Sequence, residues 1–295
     1  MLDSACTKKI VDYYLESKGP FGLFGTSGNL QEWVENTIMG APDNSEKLID
    51  NMFKSSYNFF DLTEGDKLQY DKTNKGRGYY SLRKKALGRT YGDLDALADE
   101  KETFTSGDEL VEGDPYYLSP EAEGHFTENV WPNSNMKQTW TQYKGACQEV
   151  CNKLLDLMNC PLRADKPLST LIAHNYPEQK TLPEGIRAGA HTDFGTLTLL
   201  ATENKLGGLQ VMGANNEWYD VEPIPNTLIV NLGDLMKRWN PAWRSALHRV
   251  VNPPVNSDSR RVSIVYFHAP NYDTDVKGIT AGDHLMEKFN MNRNI

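Results

Sequence analysis

Seven short runs rich in β-forming residues and bounded by turn residues follow Pro161, at 168–176, 188–201, 208–211, 218–221, 227–232, 246–251 and 261–268. Strands so closely spaced leave little room for helical crossovers and predict a sandwich or jelly roll rather than a doubly wound sheet. The chain is therefore expected to be mainly β, with helices on its flank.

Before Pro161 the pattern is helical. Leu48, Ile49, Met52, Phe53, Phe59 and Phe60 recur at helical spacing behind the cap candidates Asp43, Asn44 and Ser45. Trp140, Tyr143, Cys147, Val150, Leu154 and Met158 step by three or four, the stripe of a long helix that buries one face. Between these helices, 63–134 is punctuated by Gly and Pro and reads as loops, which in a compact chain tend to serve as lids or pocket walls. Cys147 and Cys151 could be half of a metal site, but no second Cys or His pair follows at suitable spacing, so they read as helix packing. Gly25-Thr26-Ser27-Gly28 lacks the Gly-Lys-Ser/Thr ending of a phosphate loop and reads as a turn.

Charge bounds the partners. Lys and Arg total 31 against 40 Asp and Glu, a formal net charge of -9, with no basic stripe to meet nucleic acid or an anionic membrane. No basic leader precedes an apolar run, no segment is apolar enough to span a bilayer, and four cysteines are too few for a disulfide framework. A cytoplasmic protein acting on a small molecule is expected; oligomeric state is not readable.

The chemistry is carried by a few residues. In His191-Thr192-Asp193 strand alternation puts the imidazole and the carboxylate on one side, and a later strand supplies His248. Two histidines and a carboxylate on one face leave other positions open, the facial arrangement of non-haem iron(II) oxygenases. The next strand carries Arg261-Val262-Ser263, an Arg and a hydroxyl on one face that can hold a carboxylate between them. A hydrolytic zinc site would need a motif such as His-Glu-x-x-His, which is absent.

Taken with Gly207-Gly208-Leu209-Gln210-Val211, Asn231-Leu232-Gly233-Asp234 and His248-Arg249-Val250-Val251-Asn252-Pro253, this order resembles the isopenicillin N synthase-like branch of the 2-oxoglutarate and iron(II)-dependent dioxygenases. The likeness is close over about 168–270. It extends more loosely upstream through Phe59-Phe60-Asp61-Leu62, Arg77-Gly78-Tyr79 and Asn129-Val130-Trp131-Pro132. The resemblance implies a double-stranded β-helix (jelly roll, cupin-like) core at 166–272, a helical and loop-rich region at 1–165 and a tail at 273–295. It also implies iron(II), 2-oxoglutarate and O2, with His191, Asp193 and His248 on the metal and Arg261, Ser263 and Tyr176 on the cosubstrate's distal carboxylate. The outcome would be hydroxylation, desaturation or ring closure of a small metabolite, with specialised metabolism as the expected setting, and release of succinate and CO2.

Two departures stand out. His174 replaces the Asn of the family's Asn-x-Tyr element, and the opening, 1–25, does not align, so that 33–42 becomes a candidate substitute strand. On the substrate side, Arg187 would share the His191 face if the strand reached back that far, with His174 as a second polar contact. Phe194 and Phe267 could wall the pocket, Trp131 and Tyr79 could belong to a lid, and Arg260 should face away. Two other readings stay open: an iron(II) oxidase that uses no 2-oxoglutarate, and a jelly-roll binding protein with a vestigial metal site.

Overall fold

The computed structural model of the chain describes residues 32–35, 42–72, 76–90, 92–93, 95–205, 207–223 and 227–293. The segment 25–28, expected to be a turn, Cys6 and the rest of the chain up to residue 31 lie outside the described residues.

Along the described chain run the strands β1 (Glu32–Glu35), β2 (Asp71–Lys72), β3 (Arg77–Tyr80), β4 (Glu102–Gly107), β5 (Thr170–Tyr176), β6 (Ala188–His191), β7 (Leu197–Thr202), β8 (Leu209–Met212), β9 (Trp218–Asp220), β10 (Thr227–Leu232), β11 (His248–Val250) and β12 (Arg261–Phe267). The helices are α1 (Pro42–Phe60), α2 (Glu64–Leu68), α3 (Leu87–Thr90), α4 (Ser134–Leu157), α5 (Asp234–Trp239) and α6 (Ala281–Arg293). The strands pair antiparallel into a larger sheet, ordered β1-β10-β7-β12-β5-β4-β3-β2, and a smaller one, β6-β11-β8-β9. This is the jelly-roll core.

Period-two alternation sorts the larger sheet into two buried faces. Val262, Ile264 and Tyr266 of β12, Leu171 and Ala173 of β5, and Leu197, Leu199 and Ala201 of β7 join one core cluster with Met52 and Phe59 of α1 and Trp140, Tyr143 and Leu154 of α4. Arg261, Ser263, Val265 and Phe267 of β12 and Thr170, Ile172, His174 and Tyr176 of β5 turn the other way, into a cavity that the smaller sheet also lines. Fully burying a Leu or Phe side chain contributes about 1.5–3 kcal/mol, so the helical face carries much of the stability and leaves the cavity face free for polar groups.

Several expectations are refined by the structure. The run 188–201 is two strands, β6 and β7, interrupted at 192–196. The stretch 63–134 is not all loop: β2, β3 and β4 extend the sheet that carries Arg261, and 101–106 is buried throughout although only Phe104 is apolar there. Within the expected tail at 273–295, Ala281–Arg293 form α6, which lines the cavity with Leu285, Met286 and Phe289. Helix α1 starts at Pro42, a residue suited to a first helical turn, so Asp43, Asn44 and Ser45 lie inside that turn rather than before it. Strand β1, Glu32–Glu35, covers 33–35 of the candidate substitute strand 33–42 and pairs with β10; 36–41 lie outside the described residues, and Pro42 belongs to α1. Cys147 and Cys151 are fully buried within α4.

Candidate active site

Strand β6 ends at His191 and β11 begins at His248, and their register sets the two residues directly opposite each other. The ring centroids are 4.3 Å apart. Asp193 follows in the 192–196 link, which is held in place by backbone bonds. Asp234 N donates to Asp193 O (2.8 Å), Leu235 N to Gly195 O (3.0 Å) and Thr196 N to His268 O (2.9 Å). Only glycine fits at 233, since a Cβ there would meet Gly195 O at 2.4 Å.

Asp193 Oδ1 lies 4.0 Å from His191 Nε2 and 3.9 Å from His248 Nε2, and one ligand atom from each of the three residues falls within 4.8 Å of the others. Each remaining polar atom is already engaged. His191 Nδ1 is 2.7 Å from Gly189 O and His248 Nδ1 is 2.9 Å from Ala246 O. A carbonyl can only accept, so each Nδ1 carries the proton and each Nε2 of the neutral ring keeps its lone pair for the centre. Thr198 Oγ1 (2.6 Å) and Asn231 Nδ2 (2.8 Å) both donate to Asp193 Oδ2, leaving Oδ1 facing the histidines.

Protonation agrees with that geometry. Burial, and then the adjacent His248, push His191 well below the usual histidine range, with Asp193 opposing. Burial by itself would raise Asp193, but His248, His191 and the bonds from Asn231 and Thr198 outweigh it and leave the carboxyl below its ordinary value. Neutral imidazoles beside a carboxylate are the state a metal requires. Two imidazole nitrogens and one carboxylate oxygen, with cavity on the remaining side, suit an iron(II) ion that keeps positions open for other ligands.

Asn231 and Thr198 were not singled out as functional by sequence reasoning. Asn231→Ala removes one of the two donors that fix Asp193, and iron(II) affinity is expected to fall roughly 10- to 100-fold. Competitive iron titration of an otherwise normally folded variant checks this, and an unchanged affinity would remove Asn231 from the account.

Across the cavity, β12 and β5 set Arg261 opposite Tyr176 and Ser263 opposite His174. Arg261 is 2% exposed and donates through Nη1 to Thr202 Oγ1 (2.6 Å), its Nε has no partner, and its Cζ is 4.9 Å from the Tyr176 ring centroid. Burial lowers its pKa, but a guanidinium stays charged at neutral pH. No described carboxylate pairs with it, so the cavity holds a buried cation suited to an incoming anion.

His174, Phe194 and Phe267 also line the cavity, which measures about 720 Å³. Arg187 does not. It precedes the first residue of β6, so alternation from His191 does not reach it, and it is wholly buried with its guanidinium donating to Ser259 O and lying 5.4 Å from the Tyr176 ring centroid. Trp131 is likewise no lid: it packs 6.2 Å from Phe104 and 6.0 Å from Trp140, ring to ring, in the helical core. Tyr79 is fully buried and donates to Glu102. Arg260 faces away, pairing with Asp61 at 2.7 Å.

A family model described as the 2OG-Fe(II) oxygenase superfamily matches residues 167–270, and one described as the N-terminal region of a non-haem dioxygenase in morphine synthesis matches 40–134. The chain is 32% identical to the 2-oxoglutarate-Fe(II) type oxidoreductase hxnY of Emericella nidulans, over 92% of this chain and 77% of that protein. It is 28% identical to the validamycin A dioxygenase of Streptomyces hygroscopicus subsp. limoneus, over 94% of this chain and 75% of that one. Among solved structures, Neurospora crassa T7H in complex with alpha-KG and thymine superposes with a TM-score of 0.73 at 26% identity, covering 99% of this chain and 93% of that one. These relatives favour neither an oxidase without 2-oxoglutarate nor a vestigial site.

Proposed function

The chain belongs to the 2OG-Fe(II) oxygenase superfamily as a 2-oxoglutarate-dependent dioxygenase, and from that premise we propose that His191, Asp193 and His248 hold its iron(II) while Arg261, Ser263 and Tyr176 hold the distal carboxylate of 2-oxoglutarate. The observation that carries this reading is the meeting of three donor atoms within 4.8 Å in a cavity that Arg261 and Ser263 also line. Iron(II), 2-oxoglutarate and O2 together supply the oxidising power that acts on a small organic molecule, with succinate and CO2 released.

The protein's share is position and environment. Gly189 O and Ala246 O fix the tautomers of the two histidines, and Thr198 and Asn231 orient Asp193. Arg261 offers a fork to one carboxylate, with the Ser263 hydroxyl on the same strand face to steady it. Ile172, Leu200, Val211, Ile229, Val250 and Val265 give the same cavity an apolar lining. No protein nucleophile is needed. His174, Phe194 and Phe267 are the wall residues available for substrate contact. We place the enzyme in the cytoplasm, and its acidic net charge argues against nucleic acid and anionic membrane as partners; among the described residues, no helix is long and apolar enough to cross a bilayer.

Metal removal tests the reading. Protein stripped by a chelator is expected to form no succinate from 2-oxoglutarate in air. Iron(II) should restore the reaction to the wild type and not to Asp193→Ala. Full restoration in Asp193→Ala would remove Asp193 from the metal.

A further inference from the structure

The chain is acidic, with a formal net charge of -9, but the cavity wall is basic. Besides Arg261 it carries Arg77, Lys85, Arg89 and Lys101, with Lys84 and the Glu100-paired Arg83 at its exposed rim, and among the described lining residues Asp193 is the one carboxylate. A surplus of positive charge in a partly enclosed space is costly without a counter-ion.

Two of these cations face His174, and Lys101 also acts electrostatically on His191. Lys101 precedes β4, on the side of the strand that faces the cavity, and its Nζ is 3.2 Å from Asp99 Oδ2, with both side chains 2% exposed. Lys85 lies just before α3, half-buried, with Nζ 3.7 Å from the Tyr80 ring centroid, and it forms no ion pair with a described carboxylate. Asp99 is the acid that faces both lysines, and it is already committed. It accepts from Leu87 N and Gly189 N (3.1 Å) as well as from Lys101. The Gly189 bond ties the lysine cluster to β6, two residues before His191.

When both lysines are charged, two ammonium groups face one carboxylate and a single positive charge is left over. Burial, and then Lys101, push Lys85 down to about 7, with Asp99 opposing; a bound anion would favour its charged form. The same cavity offers an apolar surface in Phe194, Leu285, Met286 and Phe289.

We propose that Lys85 and Lys101 form the recognition site for a carboxylate on the organic substrate, so that the enzyme acts on monoanionic organic acids with an apolar body. This rests on assigning Arg261 and Ser263 to 2-oxoglutarate, which leaves the lysine pair for the second ligand. One surplus charge matches a carboxylate better than a doubly charged phosphate.

The test uses the anaerobic iron(II) protein saturated with 2-oxoglutarate, and acids paired with their uncharged amides: benzoate with benzamide, phenylacetate with phenylacetamide, octanoate with octanamide. Titration calorimetry gives each dissociation constant. At least one acid should bind roughly tenfold or more tightly than its amide, as a charge-assisted hydrogen bond implies. Lys85→Met should abolish that preference and leave 2-oxoglutarate affinity unchanged. Lys101→Met leaves Asp99 without its counter-charge and can lose the fold, so Lys85→Met, which breaks no ion pair, carries the comparison. The proposal is overturned if no acid outbinds its amide, if the preference survives in Lys85→Met, or if Lys85→Met weakens 2-oxoglutarate instead. A failure of the underlying assignment shows separately, as 2-oxoglutarate binding that Arg261→Leu does not change.

Discussion

Replacing His248 by alanine is expected to lower iron-dependent succinate formation roughly a thousandfold or more, because two donors remain where three held the ion and the metal's several kcal/mol of transition-state stabilisation go with it. The fold should survive. His248 opens β11 with its side chain 18% exposed, and the Nδ1 bond to Ala246 O that alanine would lose is local to that turn. Thermal unfolding of the metal-free variant near the wild-type Tm, together with lost iron binding, separates a missing ligand from a damaged protein. Wild-type turnover in His248→Ala would take this residue off the metal.

Arg261→Leu should act on a different ligand. The guanidinium is buried, its Nε has no partner among the described residues, and its Nη1 donates to Thr202 Oγ1. Losing one member of a buried charge pair costs about 2–5 kcal/mol, which corresponds to a rise in KM for 2-oxoglutarate of roughly 30- to several-thousand-fold. Iron affinity in the absence of cosubstrate should not change. Arg261→Lys should recover little, since an ammonium cannot reproduce the planar two-pronged contact. A KM that stays within a few-fold of wild type in Arg261→Leu would mean that the cosubstrate is anchored elsewhere.

Much of the jelly roll was legible because its later strands are short, β-rich and separated by turn residues, as in 227–232 and 261–268. The metal cluster was legible for a local reason in part: one strand end brings His191 and Asp193 together, and only His248 had to come from afar. The rest depends on pairing across the sheet. Strand β4 reads Glu-Thr-Phe-Thr-Ser-Gly, with a single apolar residue. It is buried because β3 and β5 flank it, and because Lys67, Tyr79 and Asn175 all bond Glu102. None of those partners is visible from its own sequence. The bonds that steady Asp193 likewise come from β7 and β10, and only the folded register brings Asn231 to it. Arg187 shows the opposite failure: counting back by twos from His191 assumes a strand that begins only at Ala188. The lysines on the cavity wall were hidden in a stretch read as loop.

The central claim is that one cavity holds iron through His191, Asp193 and His248 and 2-oxoglutarate through Arg261. Its most direct test is the visible metal-to-ligand absorption that forms when iron(II) and 2-oxoglutarate are added together without oxygen. The account predicts a band in the wild type, no band in His248→Ala, and in Arg261→Leu a band that develops only at much higher 2-oxoglutarate. A band of wild-type strength in His248→Ala, or one in Arg261→Leu that saturates at the wild-type concentration, would contradict it.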